Sequence, residues 1–214
     1  IWIPFNGMTS LEDNLIGEIT RSDVFRITII PIYVMVVSNL VNMHSGYNGL
    51  QSGLSSILII TLCIKSFLDG TLNHILPVGS ILGAILAFYM FNRYPSKIFE
   101  GNIGSLFFGS AIGCAIVIQE YWWFGFFILI PHTFNFLLWV YWIYLMKVNP
   151  EEYLTSEGRH QKFGKVRDDG TIEVPNNLTL KWIPNYYFRM TEYESTRISF
   201  GITILFCSFG LIFV

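Results

Sequence analysis

Charged side chains are scarce in this sequence. Only 13% of its 214 residues are Asp, Glu, Lys or Arg, while 52% are hydrophobic. A soluble domain carries about a quarter charged residues. With a mean hydropathy of +0.50, the chain cannot solvate its own surface in water, and a bilayer is its natural solvent. An excess of cations is also lacking. The net charge of −2 argues against nucleic acid as the main partner. Cysteine is sparse too. Cys63, Cys114 and Cys207 each lie in an apolar run, with no CxxC pair and no His-rich spacing beside them. That pattern gives no disulfide framework and reads as packing. The opening I-W-I-P-F-N-G has no initiator Met, no cleavable signal pattern and no targeting run, so the chain is expected to be part of a longer one.

What is abundant is apolar length. Six runs, at 24–43, 52–68, 75–92, 103–119, 123–146 and 196–214, are long enough or nearly so to cross a bilayer as helices. Backbone groups in lipid must pair within their own segment, which selects helices. The expected fold is therefore an all-α polytopic membrane protein with six transmembrane helices. Pro31, Pro77 and Pro131 fall inside or at the ends of these runs and predict kinks or helix starts. The small-residue series G-S-I-L-G-A and G-S-L-F-F-G-S-A-I-G predict close helix contacts. Between 147 and 195 the chain turns polar, and D-D-G-T at 168–171 reads as a tight turn between K-F-G-K-V-R and T-I-E-V, a small β-hairpin. The expected division is 1–23 as a non-cytoplasmic segment, 24–146 as five membrane helices, 147–195 as a cytoplasmic loop with the hairpin, and 196–214 as the last helix. If 147–195 is cytoplasmic, so are the turns at 44–51 and 93–102. Those three regions with Arg197 hold ten of the thirteen Lys and Arg.

Three polar clusters thus gather on one side. The first is N-L-V-N-M-H-S-G-Y-N-G-L-Q-S-G at 39–53, where Asn39 and Asn42 share a helix face and the glycines permit close backbone approach. Leu50 starts the next helix, whose free N–H groups could face an anion. A helix cap and an ordinary membrane turn is the plainer reading. The second cluster, N-R-Y-P-S-K-I-F-E-G-N-I-G-S-L-F-F-G at 92–109, reads equally as helix-start chemistry, with Asn102 as a cap and Gly104 for packing. The third is G-R-H-Q-K-F-G-K-V-R at 158–167. Its cations suit phosphate, or simply anionic lipid heads.

In this order and on one face, N-x-x-N-x-x-x-G-x-N-G-L, then I-F-E-G-N-I-G-S-L, then an R-H element before a hairpin and a final helix resemble the polyprenyl-phosphate N-acetylhexosamine-1-phosphate transferase superfamily, glycosyltransferase family 4. The eukaryotic and archaeal branch, with its dolichyl-phosphate GlcNAc-1-phosphotransferases, is the closer match, since Ser45 stands where bacterial members keep an acidic residue. The resemblance covers about residue 24 to the end. It implies transfer of GlcNAc-1-phosphate from UDP-GlcNAc to a polyprenyl or dolichyl phosphate, with release of UMP and Mg2+ as cofactor. The implied setting is the cytoplasmic face of an archaeal plasma membrane or of the endoplasmic reticulum. By motif position it implies Asn42 and Asn102 as metal ligands and Asn48 and Phe99 beside the nucleotide base. Arg159 and His160 are the implied catalytic pair on diphosphate and sugar, with Glu100, Gln161 and Lys162 as further substrate contacts. A homodimer is a further arrangement left open.

Two positions depart from the family pattern. Gly101-Asn102 replaces the usual G-D, and R-H-Q replaces R-H-R. No D-D-x-x-D motif is present, since Asp168-Asp169 falls in the hairpin turn. The chain is accordingly expected to be the carboxy-terminal portion of the enzyme. Alternatives are an inactive membrane scaffold of the same fold, and a transporter or channel. The latter expects mid-helix charges and repeated halves, and only Lys65 near a helix end and no inverted repeat are found.

Overall fold

The computed structural model describes residues 25–71, 73, 75–154 and 163–214. A π-helical turn at Phe25–Ile29 leads into α1 (Ile30–Met43), followed by α2 (Leu50–Leu68), α3 (Ile75–Asn92), α4 (Gly101–Ile118), α5 (Trp122–Ile128), α6 (Ile130–Val148) and the short α7 (Pro150–Tyr153). Strands β1 (Lys165–Val166) and β2 (Ile172–Glu173) come next, then α8 (Trp182–Tyr187) and α9 (Glu192–Phe213). Five stretches are long and apolar enough to cross a membrane: Phe25–Met43, α2, α3, α4 and α9. At 1.5 Å per residue, about 20 residues match a hydrocarbon core of about 30 Å. The chain is an integral membrane protein.

The run expected at 123–146 is broken. Helices α5 and α6 are long and apolar enough to cross only when taken together, and they meet at 58°. Pro131 occupies the first turn of α6. It has no N–H to donate, and its ring clashes with the carbonyl four residues back, so a continuous helix cannot form through it. With the pair counted as one span, six crossings result.

Helix α2 is the central one. Of its apolar window 67% is buried, against 17% for α3 and 28% for α9. Leu58, Ile59 and Leu62 of α2 join Val37 and Val41 of α1, Ile112 and Ile116 of α4 and Ile128 of α5 in the main apolar cluster. The small residues of α4 act as expected. A Cβ on Gly109 would lie 2.6 Å from Ser38 Cα, and one on Gly113 would lie 3.2 Å from Val34 Cα. Only glycine lets α1 and α4 come this close, and Ser38 uses that approach to donate to the Leu106 carbonyl at 2.7 Å. The small residues of α3 behave differently, since Cβ atoms on Gly79 and Gly83 would meet nothing within 4 Å.

The hairpin forms where the turn chemistry placed it. Lys165 pairs with Glu173 and Val166 with Ile172 in antiparallel register. Gly170 takes φ +80°, and Asp169 accepts from the Thr171 N–H at 2.9 Å. Such an αL glycine closing a three-residue loop is the expected solution for this connection. Ile172 turns inward with Tyr47, Leu50, Leu54, Trp142, Leu178 and Trp182 in a second apolar cluster. The polar excursion is thereby seated on the end of the bundle.

Candidate active site

The chain direction places the C-terminal ends of α1, α3 and α6 and the N-terminal ends of α2, α4 and α9 at one end of the bundle. The loops 44–49 and 93–100 and the described residues of 163–191 therefore meet there. The starts of α2 and α4 have no side-chain cap, and their free N–H groups give this end a positive bias that suits phosphate; α9 instead starts in a capping box, with Thr191 Oγ1 accepting from the Glu194 N–H.

The first turn is held from outside. Gly46 and Gly49 have φ of +105° and +70°, a region side chains avoid. Lys181, from the polar excursion, donates to the Ser45 carbonyl at 2.5 Å and lies over the rings of Tyr47 and Trp182 at 5.5 and 5.6 Å. A Cβ on Gly46 would collide with the Lys181 ammonium, so the glycine makes room for the lysine. Tyr47 Oη donates to Asn185 at 2.9 Å, and the Asn48 backbone N–H donates to the Glu192 carboxylate. Burial pulls the Lys181 ammonium down to about 8, against a smaller upward pull from Glu192. Burial and then the Glu192 charge push the Tyr47 phenol above its usual range.

Two buried amides lace the turns together. Gln51 Nε2 donates to the Val41 carbonyl at 3.2 Å, and its Oε1 accepts from Ser105 Oγ at 2.6 Å. Val41 directly precedes Asn42, and Ser105 lies one helical turn beyond Asn102. Gln51 therefore ties the end of α1 to the start of α4. Asn92 does the same one layer across. Its Oδ1 accepts from Ser52 Oγ at 2.6 Å, and its Nδ2 donates to the Ile98 carbonyl and to Glu100 Oε2, both at 2.9 Å. Neither amide was singled out as an anchor from sequence. The available signal was that each sits at the membrane boundary inside an otherwise apolar helix face.

Of the expected site residues, Asn42, Asn48, Phe99, Glu100 and Asn102 all reach this end. Asn42 and Asn48 are half-buried, and Asn102 is exposed on the first turn of α4. It does not cap that helix, whose N-cap position is Glu100 with no capping side chain. Phe99 is 75% exposed, a large ring offered outward. Glu100 has one oxygen engaged by Asn92. Asn39 donates to the Met35 carbonyl of its own helix at 2.8 Å. Arg159, His160, Gln161 and Lys162 lie outside the described residues. From the same basic cluster, Arg167 is spent inside the hairpin, 3.5 Å from Glu173. His44 and His132 form a buried pair, ring centroids 4.8 Å apart, whose four nitrogens have no hydrogen-bond partner. Burial, then His132 and Lys181, hold His44 well below the usual imidazole range.

Among the described residues no group of three or more His, Cys, Asp or Glu could hold a metal ion. Carboxamide oxygens at Asn42 and Asn102 are hard donors of the kind Mg2+ accepts, but they bring no charge. Such a pair fits a cation that takes most of its ligands from waters and substrate phosphates.

Comparison with known proteins agrees with the motifs. Residues 1–120 match the family model described as glycosyl transferase family 4. A Sulfolobus acidocaldarius protein named "Putative UDP-N-acetylglucosamine--dolichyl-phosphate N-acetylglucosaminephosphotransferase" is 30% identical over 97% of this chain and 60% of its own length. A Saccharolobus solfataricus protein of the same name is 31% identical over 96% of the chain and 61% of its own length. A phospho-N-acetylmuramoyl-pentapeptide-transferase of Streptococcus pyogenes is 30% identical over 55% of the chain and 34% of its own length. The chain thus spans about 60% of the length of the two archaeal relatives. A match over more than half its residues, on a bundle whose motif turns meet at one end, places the chain in glycosyl transferase family 4.

Proposed function

We propose that this end of the bundle serves the transfer of N-acetylglucosamine-1-phosphate from UDP-GlcNAc to a polyprenyl or dolichyl phosphate. An oxygen of the lipid phosphate bonds to the β-phosphorus of the nucleotide sugar. The bond from that phosphorus to the oxygen bridging the two phosphates breaks, and UMP departs with that oxygen. Such chemistry asks a protein for alignment and charge neutralisation rather than covalent steps. Bound Mg2+ would supply offset for the developing phosphate charge. Asn42 and Asn102 would hold it, Asn48 and Phe99 would orient the nucleotide base, and Arg159 and His160 would grip diphosphate and sugar. The active end would face the cytoplasm.

The supporting observation is the lacing of the N-x-x-N-x-x-x-G-x-N-G-L turn to the F-E-G-N turn through Gln51 and Asn92. The test is UMP release by the full-length gene product in detergent with UDP-GlcNAc, Mg2+ and a polyprenyl phosphate. Asn42→Ala lowers kcat/KM by about 100-fold or more, the scale of losing metal support. Unchanged release in that variant overturns the ligand assignment.

The missing charge at Asn102 favours a second reading, a non-catalytic member that keeps the fold. Absence of UMP release by the wild-type protein at saturating Mg2+ selects it.

A further inference from the structure

A cleft of about 570 Å³ opens on the flank of the bundle formed by α3 and α9, over the start of α2. Asn48 reaches its rim, but Asn42, Phe99, Glu100 and Asn102 do not line it. It therefore lies beside the proposed transferase site and apart from the α1–α4 junction. Glycines create it. A Cβ on Gly49 would lie 2.8 Å from Arg93 Cα, and one on Gly53 would collide with the Phe200 ring. Helices α3 and α9 thus lean on α2 without filling the space between themselves. Across it Tyr89 of α3 meets Phe200 of α9 at 6.5 Å, and Tyr94, just past α3, meets Tyr193 at 6.2 Å.

The upper wall carries Arg93, Lys97 and Arg197, and among the described residues no carboxylate lines the cleft. All three cations are exposed, and Arg197 lies 5.6 Å from the Tyr193 ring. Thr196, next to Arg197, also lines the cleft; it is 5% exposed and its Oγ1 has no hydrogen-bond partner. A buried hydroxyl without a partner is destabilising unless a ligand satisfies it. Downward the polar character ends. Met90 and Leu86, one turn apart on α3, are 67% and 39% exposed, and Ile204, one turn past Phe200 on α9, is 49% exposed. These faces lie on membrane-crossing helices, so the cleft joins a cationic mouth at the helix ends to a wall that faces acyl chains.

We propose that this cleft binds the phosphate headgroup of an anionic membrane phospholipid. The phosphate sits among Arg93, Lys97 and Arg197, a headgroup or glycerol oxygen pairs with Thr196, and the acyl chains run along the apolar faces of α3 and α9. A free inorganic phosphate would satisfy the cations but leave the apolar wall uncovered. The lipid uses both halves.

Native mass spectrometry of the full-length protein, released from detergent, tests the site. Phosphatidylglycerol and phosphatidylcholine with matched chains are titrated separately, and inorganic phosphate is added as competitor. The expected result is one tightly held phosphatidylglycerol, weaker retention of phosphatidylcholine, and no displacement by millimolar phosphate. Replacing both Lys97 and Arg197 by Gln weakens phosphatidylglycerol about thirtyfold, the factor two such cations carry at a membrane surface. Thr196→Val guards against misfolding as the cause. It keeps or raises the melting temperature without lipid, since it removes a lone buried hydroxyl, yet loses several-fold in lipid affinity. Equal retention of both lipids, or undiminished binding in both variants, overturns the proposal. Full displacement by inorganic phosphate makes the cleft a free-anion site and overturns the lipid assignment. None of these readouts depends on transferase activity.

Discussion

Single residues at the polar end carry opposed demands. Asn102 offers an oxygen but no charge where a phosphate-bound cation would gain from a carboxylate. Asn102→Asp is expected to lower the Mg2+ concentration needed for half-maximal UMP release, read from a metal titration; lost turnover would show that the position does not meet the ion. Lys181 shows a demand of stability. Its folded value near 8 lies below the ordinary 10.5 because its ammonium is enclosed against the 44–49 turn. Between those values the unfolded chain holds a proton that the folded chain has released, so stability rises with pH across the window. Melting temperature in detergent should climb from about pH 8 to about pH 10.5, and Lys181→Met should flatten that slope. The importance of Lys181 was hidden in the sequence, because its partner, the Ser45 carbonyl, is 136 residues away. The three asparagines of the first motif were visible, but their separate fates were not. Asn39 turns back on its own helix, Asn42 lends its carbonyl to Ser45 Oγ, and Asn48 borders the flank cleft.

At the scale of elements, glycine spacing decides which helices touch. The α4 series of small residues and the α3 series look alike as sequence, but only the first meets a partner backbone. Gly109→Leu is expected to force α1 from α4 and cost about 1–3 kcal/mol or more. It would be read as a lower melting temperature in detergent, while Gly83→Ala leaves the temperature unchanged. Both variants melting alike would contradict the packing described. The hairpin was legible because D-D-G-T specifies its own turn within a few residues. The break at Leu129 was signalled by Pro131, yet the apolar run on both sides masked it, since hydropathy reports solvent and not direction.

For the whole molecule, the arrangement predicts sidedness. In a protein with Cys63, Cys114 and Cys207 replaced, new cysteines at Lys97 and Asp168 should react with a membrane-impermeant maleimide from one side. A cysteine at Asp69 should react only from the other. Labelling of all three from a single side would contradict the six crossings. That end opposite the motifs has its own closure, Lys65 paired with Asp69 at 3.2 Å and Gln119 donating to Ser66 at 2.6 Å. Composition, run length and turn chemistry by themselves determined the solvent, the apolar helical runs and the hairpin, because each depends on local chemistry over about 20 residues or fewer. The tertiary structure alone decided that α2 is central, that Gln51 and Asn92 bind the motif turns into one end, and that α3 and α9 leave a basic cleft between them. Those outcomes follow from contacts between residues as many as 144 positions apart, which no local pattern encodes.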